Sequence, residues 1–193
     1  MSYRWEIRTD GPSRPWPDAA ERLLATIRGL DRVFPGEAGT ARLTPDGSLS
    51  LGRGRLWLAW HEPGRDRTEL RVGTKPQLNP ALEERLPEVS ALVAELGRVW
   101  TADYAWIDLR HVRRSWNRRR PGHPVFSLAT WLAASAARTD TTGLDVDTTD
   151  TADGRLIVLR RPSAAIGNDE EGSLSGGRAL VEALALRTTL LAL

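Results

Sequence analysis

The 193-residue chain contains no cysteine, which excludes a disulfide framework, thiolate catalysis and cysteine-based zinc sites and fits a reducing cytoplasm. Lysine is nearly as scarce, Lys75 being the single one, so the positive charge is carried by arginine. With so few lysines and tyrosines, little titrates between neutral pH and the top of the scale. A pI of about 9.6 therefore reflects a small arginine excess and not a cationic protein, since the net charge is only +2. No apolar run approaches the roughly 18 residues of a membrane span, and Met1 to Glu6 holds no apolar signal core. The expectation is an unprocessed cytoplasmic protein that does not enter a membrane.

What is present has the balance of an ordinary globular protein, 40% hydrophobic and 27% charged. A chain of this length makes one domain, residues 1–193. Leu82, Leu86, Val89, Val93, Leu96 and Trp100 recur at steps of three and four, which places them on one face of a helix opening at Asn79-Pro80. Pro87 kinks that helix or begins it. An aromatic strand, Tyr104 to Leu109, follows. Upstream, Tyr3–Thr9 alternates as a half-buried strand, and Asp10–Pro17 is a turn-rich linker. Asp18 then caps a helix carrying Leu23, Leu24, Ile27, Leu30 and Phe34.

Ala41–Leu43 and Leu49–Leu51 flank the turn signal Pro45-Asp46-Gly47. Leu56–His61 is apolar on both faces and reads as a central or covered strand, with Thr68–Val72 returning beside it. Val125–Ala134 suits helix and strand equally. Leu144–Thr148 and Leu156–Leu159 form a hairpin around Asp153-Gly154, and Leu174–Leu193 is a C-terminal helix with Leu180, Val181, Leu184 and Leu191 inward. The class predicted is α+β: a mostly antiparallel sheet with about three helices packed against it.

Two charge blocks stand out. Arg110 to Arg120 holds six arginines and no acid, with Trp116 inside. Arg113, Arg114, Trp116, Arg118, Arg119 and Arg120 combine charge for a phosphate backbone with a ring for stacking, as a nucleic-acid-binding module requires. A solvated arginine-rich loop is the plainer account. Thr139 to Asp153 holds five aspartates, Asp140, Asp145, Asp147, Asp150 and Asp153, and no base. Calcium-loop spacing fails, because Thr149 and Asp150 stand where an acid or amide and a glycine belong. The block either discourages strand addition at a sheet edge or presents an acidic surface to a basic partner. No catalytic constellation emerges: His61, His111 and His123 lack ligand spacing, and no nucleophile elbow surrounds Ser127 or Ser135. No enzyme, cofactor or metal is expected.

Trp100, Trp106, Trp131-Leu132 and the Gly154–Leu159 strand can be laid on a family pattern. That pattern is a helix ended by tryptophan, an aromatic strand, a Gly-Trp-x-x-Tyr-Leu-like segment, a glycine-led apolar strand and a final helix. On these residues, across roughly the last 110, the chain resembles the immunity protein 52 family of bacterial polymorphic toxin systems. It departs where Thr101 to Asp103 replace an Asp-Pro pair, and where Leu132 directly follows Trp131 with no tyrosine nearby. The resemblance implies an α+β protein that binds and neutralises a cognate toxin, often a nuclease, encoded by a neighbouring gene. An acidic face around Asp145, Asp147 and Asp150 is the expected contact, and nucleic-acid binding by the arginine block is the alternative.

Overall fold

A computed structural model describes residues 5–12, 16–36, 41–43, 49–51, 56–64, 67–74, 85–109, 124–160 and 173–191. In chain order these residues form β1 (Trp5–Pro12), α1 (Trp16–Val33), β2 (Ala41–Leu43), β3 (Leu49–Leu51), β4 (Leu56–Gly64) and β5 (Arg67–Thr74). Then follow α2 (Leu86–Val99), β6 (Tyr104–Leu109), β7 (Ala129–Ala133), β8 (Ala137–Thr139), β9 (Val146–Thr151), β10 (Gly154–Leu159), α3 (Ser173–Leu186) and β11 (Thr188–Leu190). Seven strands make one sheet in the order β4-β5-β1-β6-β7-β10-β9, each neighbouring pair antiparallel. β2 pairs with β3, and β8 with β11, as separate ribbons. The class is α+β, with a mostly antiparallel sheet and three helices among the described residues.

The helix α2 carries the core. Leu86, Val89, Val93 and Leu96 are buried on it, as the three-four spacing predicts, and Leu92 is buried beside them. It begins at Leu86, so Pro87 does not kink it: proline occupies the first turn, where its missing N–H removes nothing from the hydrogen-bond ladder. The Asn79-Pro80 start lies outside the described residues. At the other end the Ala102 N–H donates to the Gly97 carbonyl (2.9 Å) and the Thr101 N–H to that of Arg98 (3.0 Å), the two bonds of a Schellman motif. Thr101 occupies the left-handed position with φ of 43°, a conformation glycine normally supplies. The turn delivers the chain directly into β6.

Helix α1 lies alongside α2. Thr26 Oγ1 accepts the buried Trp100 Nε1–H at 2.9 Å, the Arg22 guanidinium donates to the Val99 carbonyl, and Arg32 pairs with Glu95. Leu23, Leu30 and Phe34 face inward, whereas Leu24 is exposed. Asp18 is not the cap: the helix starts at Trp16, with Pro17 in its first turn and Asp18 lying near the positive end of the helix dipole.

Strand β1 differs from its half-buried expectation. It lies inside the sheet between β5 and β6, so Arg8 and Asp10 are buried along with Ile7 and Thr9. The Arg8 guanidinium keeps its charge compensated by Glu6 two residues back, at 2.7 Å. The strand also runs on through Gly11 and Pro12, which the sequence places in a linker. Gly11 fits because a Cβ there would stand 2.6 Å from Ala102 Cα. Among the described strands β4 is at the edge of the sheet, so of the two expectations for it, central or covered, the central place does not hold. β2 and β3 fall on their predicted residues.

Within Val125–Ala134, residues Ala129–Ala133 are strand. β7 is an inner strand, buried throughout, between β6 and β10. Its alanines supply the low bulk that lets α2 approach while Trp131 fills the gap. Behind it, residues 124–128 fold over the opposite face, where Thr130 Oγ1 accepts the Ser127 N–H and donates to the Val125 carbonyl, both at 3.1 Å. The final helix stops at Leu186 rather than Leu193. The β-branched Thr188 and Thr189 favour extended backbone, and β11 pairs with β8. Val181 and Leu184 are buried as predicted, but Leu191 lies beyond the helix and is exposed.

Candidate functional site

Of the five aspartates, Asp147 and Asp150 lie on β9, Asp145 and Asp153 in the turns at its two ends, and Asp140 just after β8. β9 and β10 form a hairpin whose two connecting residues are Ala152 and Asp153, with Gly154 opening the second strand. The predicted turn was Asp153-Gly154. Glycine moves into the strand because a Cβ there would stand 2.2 Å from the Leu132 carbonyl oxygen and 2.9 Å from the Trp131 ring. β9 begins at Val146, so Leu144 and Asp145 belong to the turn before it. Val146 is buried, while Asp147 to Thr151 are all exposed. β9 ends the seven-stranded order and is paired only with β10 among the described residues.

Register decides what each carboxylate meets. Asp150 stands directly opposite Arg155. The guanidinium grips it with two bonds, Nε to Oδ1 at 2.5 Å and Nη2 to Oδ2 at 2.9 Å, and its Nη1 donates to the Thr139 carbonyl at 2.9 Å. Asp147 accepts from Arg160 Nε at 2.7 Å. Asp140 caps the following turn, accepting the Thr142 N–H at 2.9 Å, and Arg187 donates to the Thr142 carbonyl at 2.6 Å. Asp153 is exposed at the hairpin tip, where its carbonyl accepts the Ala134 N–H. The Arg155 hydrogen bond holds the Asp150 carboxyl below the usual aspartate range, and the Thr142 N–H does the same for Asp140. Reciprocally, Asp150 raises Arg155 and Asp147 raises Arg160. Both ion pairs are well exposed, so they add little to stability; their main effect is to offset the acidic charge.

The acidic face is therefore a mixed one. Arg138, Arg155, Arg160 and Arg187 surround the aspartates, and the linear block conceals them because the bases come from neighbouring strands. A signal for one was present: once the turn is set at two residues, Arg155 must oppose Asp150. Alternation also splits the set. Asp147 lies against a hollow of about 620 Å³ between α2 and the hairpin, whose floor includes the half-buried Leu156 and Val158 and whose wall includes Ser90 and Ala94. Asp140 and Asp150 line a second cleft of about 500 Å³, on the side of β8 and β11.

Among the described residues no group of three or more histidine, aspartate or glutamate side chains is arranged to hold a metal ion, and no helix is long and apolar enough to cross a membrane. The alternative basic surface, Arg113, Arg114, Trp116, Arg118, Arg119 and Arg120, lies outside the described residues, as do His111 and His123. No family model matches the chain, and no curated protein matches it.

Proposed function

We propose that this protein is a cytoplasmic immunity protein that binds a cognate toxin domain, the product of a neighbouring gene, and neutralises it by stoichiometric contact without catalysis. The observation that carries the reading is the exposed strand β9 of the β9–β10 hairpin, at the end of the sheet. It offers oriented carboxylates, Asp147 and Asp150, beside exposed threonines, on a strand with one unpaired edge among the described residues. Carboxylates held in place by arginine lose little freedom when a partner arrives, and their remaining lone pairs can accept from a basic surface. The order of elements gives further support: α2 closes at Trp100, and aromatic β6, β7 with Trp131 and glycine-led β10 follow as the family resemblance implies.

The test is co-purification with the neighbouring gene product, followed by titration of the pair at two salt concentrations. Reversing charge in Asp147→Lys/Asp150→Lys should slow association by about tenfold at low salt, with a smaller effect at high salt where steering is screened. Cells carrying the double variant should lose protection. Full protection together with an unchanged association rate would remove the hairpin from the interface.

A further inference from the structure

The second cleft has a charge pattern that toxin binding does not require. In the β8–β11 ribbon Arg138 pairs with Thr189, and the Asp140 N–H donates to the Arg187 carbonyl at 3.2 Å. Side chains alternate across such a ribbon, so Arg138, Asp140, Arg187 and Thr189 share one face. Thr139 and Thr188 point the other way, where their hydroxyls meet at 2.8 Å. The shared face looks across the cleft at Asp150 and Arg155 of the hairpin.

Within that space three guanidiniums meet two carboxylates. Arg155 is committed to Asp150. Asp140 lies in the field of both Arg187 and Arg155. That leaves Arg138 as the surplus cation: it is exposed, and its side chain has no hydrogen bond or ion pair among the described residues. Arg155 and Arg187 are each pinned by a backbone carbonyl, so the cleft is held in shape before any ligand enters. Leu132, Ala134 and Ala137 add an apolar wall, and a volume of about 500 Å³ lies within the range of small-molecule sites, ~300–1,000 Å³.

We propose that this cleft binds a small organic anion through its carboxylate or phosphate group, with Arg138 supplying the principal two-pronged contact and Arg187 the second charge. A planar guanidinium matches either anion with paired N–H donors. Asp140 sets an upper limit on the negative charge the cleft accepts, because it stands beside the same arginines.

The experiment titrates the full chain with sodium phosphate and, separately, sodium acetate at constant ionic strength, following backbone amide and arginine side-chain signals by NMR. Saturable shifts centred on Arg138 and Arg187 are expected, and the anion with the tighter isotherm identifies phosphate or carboxylate as the recognised group. Arg138→Gln should weaken binding about fivefold or more, as loss of a charge-assisted contact in a partly solvated site predicts. Asp140→Asn should tighten it by about threefold, since the amide oxygen still accepts the Thr142 N–H while the competing charge is gone. Arg98→Gln, on α2 and outside the cleft, should match the wild type. Equal melting temperatures for Arg138→Gln and wild type would show that the fold is intact. Absence of saturation with both anions, or affinities within twofold for wild type, Arg138→Gln and Asp140→Asn, would overturn the proposal. The site stands or falls separately from toxin binding.

Discussion

Replacing Gly97 by alanine should destabilise the protein, although alanine is the better helix former. Gly97 lies in the last turn of α2, and a Cβ there would stand 2.3 Å from Trp131 Cε3 and 2.8 Å from Cδ2 and Cζ3. The indole has little room to retreat. Gly154 faces its other edge so closely that a Cβ on that residue would lie 2.9 Å from Cε2 and Cζ2, and Trp131 is only 2% exposed. Helix propensity favours alanine by about 0.8–1.0 kcal/mol. Overpacking a filled core costs about 1–3 kcal/mol, and a ring blocked on both sides belongs at the upper end of that range. The net loss is about 2 kcal/mol, which for a chain of this size lowers the melting temperature by about 4–8 °C. Urea denaturation of Gly97→Ala measures it directly. Repeating the substitution in a Trp131→Leu background separates the two contributions: with the ring gone, Gly97→Ala should become neutral or stabilising by up to about 1 kcal/mol, a coupling of about 2–3 kcal/mol. A wild-type background stabilised by Gly97→Ala, or a penalty that survives loss of the indole, would refute the clamp.

Two further outcomes follow from local geometry. Thr101→Gly should stabilise by about 0.5–1 kcal/mol, because relief of the left-handed β-branched residue, about 1–2 kcal/mol, is partly offset by the freer unfolded chain; a lower urea midpoint for the variant would contradict that. Asp150 and Asp140 have folded-state pKa values below their unfolded ones. Their contribution is present above the unfolded aspartate value, about 3.9, and is lost as pH falls through the folded value. Asp150→Asn should therefore make the acid side of the stability–pH curve shallower than in wild type, and parallel curves would show that its pairing with Arg155 does not survive in solution.

Much of the architecture was legible because local signals agreed with the fold. The α2 stripe, the aromatic β6 and the short β2 and β3 strands each carry a period or a turn residue that needs no distant partner to interpret. The failures share a physical cause, since each depended on a neighbour remote in sequence. Arg8 reads as an outward residue until β5 and β6 enclose β1. The alanines of β7 leave helix and strand undecided until α2 lies on them, and Thr188 to Leu190 read as helix until β8 offers a ladder. The site fared in the same way. The aspartates were found by counting, but the arginines that neutralise Asp147 and Asp150 became visible only with the cross-strand register.

The position of β1 also bears on the order in which the protein can assemble. Ile7 sits opposite Ile107, about 100 residues downstream, and the β1–β6 ladder is the seam between the N-terminal strands of the main sheet and those that follow α2. Closing so long a loop must precede any reward from the contacts, so formation of this seam is expected to limit the folding rate. On the ribosome the delay is set by synthesis. At about 5–20 residues per second, β1 waits roughly 5–20 s for β6 to be translated, and its partner β5 roughly 2–6 s. Throughout that interval the inner edge of β1 is an open ladder bearing Ile7 and Thr9, and the growing chain is most exposed to mispairing before the seam closes.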